Sequence, residues 1–128
     1  MSNLSNNFIA GDWISGPSTI SNINPSDTND VIGEYAQASK SQLEDALNSA
    51  QIAQKKWAAT GLEQRQAVLM KIGEEMMARS AELGELLSRE EGKPVAEGKG
   101  EVYRAGQFFT YYAAEVLRQS GDTADSVR

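Results

Sequence analysis

The stretch Ser88-Arg89-Glu90-Glu91-Gly92-Lys93-Pro94-Val95-Ala96-Glu97-Gly98-Lys99-Gly100-Glu101-Val102-Tyr103-Arg104-Ala105-Gly106-Gln107-Phe108-Phe109 decides how this chain is organised. Gly92 accepts the left-handed conformation that closes a helix, and Pro94, two positions on, bars its continuation. A new helix is therefore expected from about Val95 to Ser120, before Gly121. Val102, Ala105, Phe109, Tyr112 and Val116 form its apolar stripe, and Phe108, Tyr111 and Leu117 widen it. A stripe that wide predicts burial on more than one face, as core rather than as a base-stacking platform. Gly98, Gly100 and Gly106 invite a dinucleotide reading. That fingerprint needs G-x-G-x-x-G after a strand. Here position 103 is tyrosine and no strand precedes. These glycines read instead as small residues that let a helix pack closely. No phosphate-cradling G-x-x-x-x-G-K-[ST] exists, because Gly92-Lys93 runs into Pro94 and Gly98-Lys99 into Gly100.

Toward the N-terminus the helical period continues. Ser80 is placed to cap a short third helix carrying Leu83, Leu86 and Leu87. Leu62, Leu69, Ile72 and Met76 mark a second, with Thr60-Gly61-Leu62-Glu63 ending the first and capping the second. The first opens on a capping box, Ser39-Lys40-Ser41-Gln42 or the overlapping Ser41 to Glu44, and carries Leu43, Ala46, Leu47, Ala50, Ala53 and Trp57. Before Ser39 the period is that of strands. Phe8-Ile9 and Trp13-Ile14 flank Gly11-Asp12, a hairpin signal. Thr19 to Asn24 and Val31 to Ala38 read as extended pieces joined by the turn Asn24-Pro25-Ser26-Asp27. Met1 to Asn7 is polar and expected to fray. The fold class expected is α/β: a β-rich arm over 1–38, then a helical part over 39–128, with no linker between. Strands so few and short do not make an independent sheet, so their partners are expected elsewhere.

Composition narrows the chemistry. The 128 residues contain no cysteine and no histidine. That removes thiol catalysis, disulfides and the commonest general base and metal ligand. Net charge is −6, and residues 1–39 hold four acids (Asp12, Asp27, Asp30, Glu34) and no base. An acidic arm argues against nucleic acid. The first nine residues carry neither the basic start nor the apolar run of a secretory signal, and no segment is apolar enough to span a bilayer. Cytoplasmic location is the default. Without secretion, Asn3-Leu4-Ser5 carries no weight as a glycosylation acceptor. Glu74-Glu75 and Glu90-Glu91 are adjacent on helices and diverge, so neither pair is an acid/base couple. Glu75 with Arg79 and Glu85 with Arg89 read as helix-surface pairs. No serine has the histidine or lysine partner a nucleophile needs.

Five segments, in order, resemble the N-terminal part of the aldehyde dehydrogenase superfamily. They are Phe8-Ile9-Ala10-Gly11-Asp12-Trp13; Ile23-Asn24-Pro25 followed by Val31-Ile32-Gly33; Ala50 to Arg65 with Ala53, Trp57 and Arg65; Ser88 to Pro94; and Glu97, Glu101-Val102 and Tyr111-Tyr112-Ala113. Within the superfamily the chain looks most like dehydrogenases of α-ketoglutaric semialdehyde (2,5-dioxovalerate), with succinate-semialdehyde dehydrogenase the near alternative.

The resemblance implies oxidation of a small aldehyde to a carboxylate with hydride transfer to NAD or NADP. In the family a cysteine thiolate attacks the aldehyde, a glutamate activates water and an asparagine helps hold the oxyanion, all later in the chain. No catalytic and no cofactor-binding residue is carried over. The stretch is expected to be a fragment whose arm and helices buttress the coenzyme-binding domain of a homo-oligomeric enzyme. Some members hold a monovalent cation through a carbonyl before the Asn-Pro turn and an acid on the long helix, which match Ile23 and Glu101. Leu43, Leu47, Trp57, Leu69, Ile72, Leu86, Phe109, Tyr112 and Val116 are expected to be buried in the full-length fold, and the isolated chain to be helical but loosely packed or self-associated. The competing readings are a free-standing helical interaction module and a structural fragment that folds only against a remainder. Purified chain given semialdehydes and NAD(P)+ is expected to yield no reduced cofactor; turnover above blank contradicts this.

Overall fold

A computed structural model describes residues 4–118 and Gly121. Five strands precede four helices: β1 (Leu4–Ser5), β2 (Asn7–Ile9), β3 (Asp12–Ile14), β4 (Ser18–Ile23), β5 (Val31–Gln37), α1 (Lys40–Ala58), α2 (Leu62–Ala78), α3 (Ser80–Glu91) and α4 (Val95–Val116). β4 and β5 pair antiparallel and β1 joins the far edge of β5 in parallel, giving the order β1-β5-β4. β2 and β3 form a separate hairpin.

Several expectations shift. Leu4, Ser5 and Asn7 are in strands rather than frayed; Met1 to Asn3 lie outside the described residues. The hairpin turns on Ala10-Gly11, not Gly11-Asp12: both have positive φ, 57° and 99°, and Asp12 already pairs with Ile9. Two left-handed residues match the twist of the flanking strands. Ser39 caps α1 in the expected box: its hydroxyl accepts from Gln42 N–H at 3.2 Å, and Gln42 Oε1 accepts from Ser39 N–H at 2.8 Å. Gln42 Nε2 also donates to the Ser15 carbonyl at 2.8 Å, which ties the arm to the helix start. Ser80 does not cap α3. Arg79 is both the last cap of α2 and the first of α3, so no gap is left for a serine cap. Thr60 serves the end of α1, donating to the Trp57 carbonyl at 2.6 Å, while Gly61 opens α2 without a side-chain cap. α4 stops at Val116, capped by Leu117; Ser120 lies outside the described residues.

The helices meet through small residues. α4 packs on both α2 and α3, and its buried residues are Gly98, Val102, Gly106 and Ala113, three of them without bulk. A Cβ on Gly73 of α2 would lie 2.6 Å from the Gly106 carbonyl oxygen, and one on Gly106 would lie 2.8 Å from the Gly73 carbonyl oxygen. At the other end a Cβ on Gly84 of α3 would lie 2.5 Å from Lys99 Cα. A Cβ on Gly98 would collide with Ser88 Oγ and the Gly84 carbonyl oxygen. Backbones this close leave no room for a side chain, so the glycines define the crossing points. Gly100, between them, has nothing within 4 Å. The close-packing reading thus holds for Gly98 and Gly106 and not for Gly100.

None of the nine expected core residues is buried in this chain: Leu69, Phe109 and Val116 are half-buried, and the other six are exposed. α1 buries no residue at all. Its Leu47 is 63% exposed and Trp57 46%.

Gly73→Ala should destabilise the chain by about 1–3 kcal/mol through overpacking, whereas Gly100→Ala should stabilise it by about 0.5–1 kcal/mol by removing a helix-interior glycine. Urea midpoints followed by circular dichroism read both, and equal effects would contradict the seam.

Candidate functional site

Two of the segments singled out in the sequence, about sixty residues apart, meet at one polar junction between arm and helices. The loop 24–30 is closed by its own side chains. Asn24 Oδ1 accepts from Ser26 N–H at 2.9 Å, and Asp27 Oδ1 accepts from Asn29 N–H at 3.1 Å. Asn24 N–H donates to the Asp30 carbonyl at 3.0 Å. Asn and Asp suit this because their side chains imitate a backbone turn. The closure presents Asp30 to α3.

Arg89 takes Asp30 with both arms of its fork, Nε to Oδ2 at 2.9 Å and Nη2 to Oδ1 at 2.6 Å. Asn24 Nδ2 adds a third bond to Oδ2 at 3.2 Å. The arginine hydrogen bonds, then Asn24, hold the Asp30 carboxyl down at about 2. Next along α3, Glu90 Oε1 accepts from Asn22 Nδ2 at 2.8 Å and from the Tyr35 hydroxyl at 3.4 Å. Gly92 ends the helix at φ +72°, and its N–H donates to the Ser88 carbonyl at 2.8 Å. Its own carbonyl accepts from Ser26 Oγ at 3.0 Å. A Cβ there would meet Ser26 Oγ at 2.7 Å and Pro25 Cγ at 2.9 Å, so both the turn and the contact require glycine. Ser88, 4% exposed, donates to the Gly84 carbonyl at 2.8 Å.

A second clamp joins α1 to α2. Arg65 Nη2 donates to the Ala58 carbonyl at 2.7 Å and the Trp57 carbonyl at 3.2 Å. Its Nε donates to Thr60 Oγ1 at 3.2 Å, and its guanidinium lies 5.9 Å from the Trp57 ring centre. A cation on the last carbonyls of a helix satisfies groups that have no partner inside it. Phe8 and Trp13 pack across the hairpin with ring centres 5.0 Å apart.

The two expected cation ligands lie on different elements. Ile23 closes β4 opposite Val31. Glu101 lies on α4, where its Oε2 is 2.7 Å from Lys93 Nζ. Lys93 also pairs with Glu91, and hydrogen bonds to the two acids raise its pKa above the usual lysine range. Among the described residues no cluster of three or more acids could hold a metal. Of the two expected surface pairs, Glu75–Arg79 forms at 3.3 Å, alongside Arg79–Glu82 at 2.8 Å. Arg89 turns from Glu85 to Asp30, because Asp30 offers a two-armed, partly enclosed partner. The sequence reading missed this pair; no local spacing reveals a contact between residues fifty-nine apart.

A profile described as the aldehyde dehydrogenase family matches residues 13–128. The chain belongs to that family. An alpha-ketoglutaric semialdehyde dehydrogenase of Bacillus subtilis is 33% identical over 122 residues, 94% of this chain and 25% of the relative. The NADP(+) succinate-semialdehyde dehydrogenase 2 of Schizosaccharomyces pombe is 33% identical over 121 residues, 93% of this chain and 24% of the relative. A crystal structure of an aldehyde dehydrogenase from Brucella melitensis biovar abortus superposes with a TM-score of 0.90 at 31% identity, over 97% of this chain and 26% of that one. The chain spans about a quarter of the length of the relatives it matches, and its fold is a fragment of the aldehyde dehydrogenase fold.

Set in the aldehyde dehydrogenase family, the resembling segments do architectural work in this chain. The hairpin is an aromatic pair, the Trp57 to Arg65 element a helix clamp, and the Asn-Pro and Glu-Gly-Lys-Pro elements one junction. Two of the glycines of α4 are taken up by helix packing. Gly98 and Gly106 are spent on helix crossings, so neither can approach a pyrophosphate.

The Asp30–Arg89 fork carries a pH signature. A carboxyl held at about 2 in the folded chain, against about 3.9 unfolded, stabilises fully above pH ~4 and loses that contribution as pH falls toward 2. Urea midpoints measured across this window should fall for the wild type by a modest amount, since the pair is partly exposed. Asp30→Asn should be less stable at neutral pH and should show a flatter acid limb; an unchanged acid limb contradicts the fork.

Proposed function

We propose that this chain is the N-terminal quarter of an NAD(P)-dependent aldehyde dehydrogenase that oxidises a small semialdehyde to its carboxylate, and that it contributes architecture rather than chemistry. The observation that carries the reading is that four of the five segments shared with the family are built into turns, caps and clamps, while the match covers a quarter of each relative. Similarity to alpha-ketoglutaric semialdehyde and succinate-semialdehyde dehydrogenases supports a semialdehyde substrate, and one of these relatives is an NADP(+) enzyme. When bound, the nicotinamide supplies the hydride acceptor. The residues of this chain hold the arm against α3 and the helices against one another, the frame on which such a site rests. Homo-oligomeric assembly and a cytoplasmic location belong to the same proposal; among the described residues no helix is long and apolar enough to cross a membrane. A free-standing interaction module is not favoured, because the family match runs over nearly the whole chain.

A monovalent cation between the Ile23 carbonyl and the Glu101 carboxylate is part of the proposal. Oxygen donors of this kind suit a hard cation. Two are too few, and Lys93 already neutralises Glu101, so further donors must come from outside the described residues.

The test is a chimera in which this chain replaces the matched quarter of the Bacillus subtilis relative. It should oxidise α-ketoglutaric semialdehyde with formation of reduced cofactor. A soluble, folded chimera without that activity contradicts the reading. Crystals of the chimera grown with K+ or Na+ should show ion density between residues 23 and 101; its absence ends the cation reading.

A further inference from the structure

We propose that two copies of this chain join edge to edge through β4, antiparallel about a two-fold axis at Ile20, so that the two sheets become one. The inference does not depend on the enzymatic role proposed above. Among the described residues no strand pairs with the outer edge of β4, since the sheet order is β1-β5-β4. A free strand edge presents unpaired N–H and C=O groups, and proteins blunt such edges by shortness, charge or proline. The opposite edge is blunted, because β1 is only Leu4–Ser5. β4 is not: Ser18-Thr19-Ile20-Ser21-Asn22-Ile23 carries neither a charge nor a proline. Its Ile20 is 56% exposed.

Register and charge identify the occupant as a second copy. The irregularity between Asn22 and Ile23 confines the regular ladder to Ser18–Asn22, whose centre is Ile20. Identical strands paired about that centre set Ile20 against the partner's Ile20, Thr19 against the partner's Ser21 and Ser18 against the partner's Asn22. Directly opposed residues of an antiparallel pair share a face, and β-branched pairs and Thr–Ser hydrogen bonds are among the stabilising ones. A slip by one residue would set Ile20 against a serine. The loop 24–30, with Asp27 and Asp30, directly follows β4, and residues 1–39 hold no base. Antiparallel pairing puts the acidic loops of the two copies at opposite ends of the joined strands, whereas parallel pairing would set them side by side. A two-fold contact occupies both edges at once, so association stops at the pair.

Sedimentation of the 128-residue chain from micromolar to millimolar concentration should show a reversible monomer–dimer equilibrium and no larger species. Ile20→Lys should weaken the dimer about tenfold or more, because like charges then oppose each other at the axis. Its far-UV circular dichroism should match the wild type. Phe108→Lys, on the exposed aromatic face of α4, should leave the equilibrium unchanged. The chain has no cysteine, so Ile20→Cys supplies a single thiol that meets its own copy at the axis. Air oxidation catalysed by copper should link it into a disulfide dimer. Ile52→Cys, on α1 and 75% exposed, should link far less. The crosslink reads the same edge if Ile20→Lys fails to fold. A chain that stays monomeric, or that associates without limit, overturns the proposal. So does a dimer kept in Ile20→Lys and lost in Phe108→Lys, or equal crosslinking at residues 20 and 52. None of these readouts involves aldehyde oxidation, so a failed dimer leaves the enzymatic reading standing and an inactive chimera leaves the dimer standing.

Discussion

Two carbonyl oxygens, those of Gly73 and Gly106, each lie too close to the other residue for a Cβ there, which would stand 2.6 and 2.8 Å away. That mutual exclusion sets the distance between α2 and α4, and the Gly84–Gly98 approach sets it again between α3 and α4. Helices that approach to backbone contact gain dispersion along the whole crossing and lose it with a single methyl group. α2 and α3 both pack on α4. α3 is held at one end by this seam and offers its other end, Arg89 to Gly92, to the arm. The β4–β5 loop of the arm docks on α3, while the hairpin side of the arm is tied to α1. The dependence therefore runs from glycine to helix pair, from helix pair to junction, and from junction to sheet.

The junction differs from the seam in kind. It is built from a forked ion pair, amide side chains and a helix-ending glycine, with few apolar atoms. Such contacts fix orientation more than they add stability, since partly exposed ion pairs contribute little. The arm is consequently oriented on α3 without being buried there. Exposed Trp13, Ile20 and Ile23 on the strands, and the unburied stripe of α1, follow from the same economy. In a chain that matches a quarter of its relatives, apolar surface left uncovered is the expected remainder.

Much of this was legible in the sequence, and for stated reasons. The change of period at Ser39, the capping box and the Gly92–Pro94 stop are local signals, and the elements they mark were found within a few residues. The family resemblance was legible because its segments are turns and caps, where few residue types satisfy the backbone. The helix seam was legible in part: Val102 lies in the apolar stripe of α4 and Gly98 and Gly106 read as close-packing residues, whereas their partners Gly73 and Gly84 on α2 and α3 carry no hydrophobic signal. The Asp30–Arg89 fork was hidden for another reason. Arg89 has a ready partner at Glu85 by helical spacing, and only the folded loop brings a better one. β1 was missed because two residues show no period, and their partner strand is distant in sequence.

Native-state hydrogen exchange on the 128-residue chain measures this order directly. Slowest exchange is expected at the amides of α2 and α4 around Gly73 and Gly106, and of α3 around Gly84 and Ser88. The arm should follow, and α1, anchored mainly at its ends, should exchange fastest among the helices. Protection of α1 equal to that of α4, or uniform exchange along all four helices, would contradict the account in which the glycine seam holds the fold.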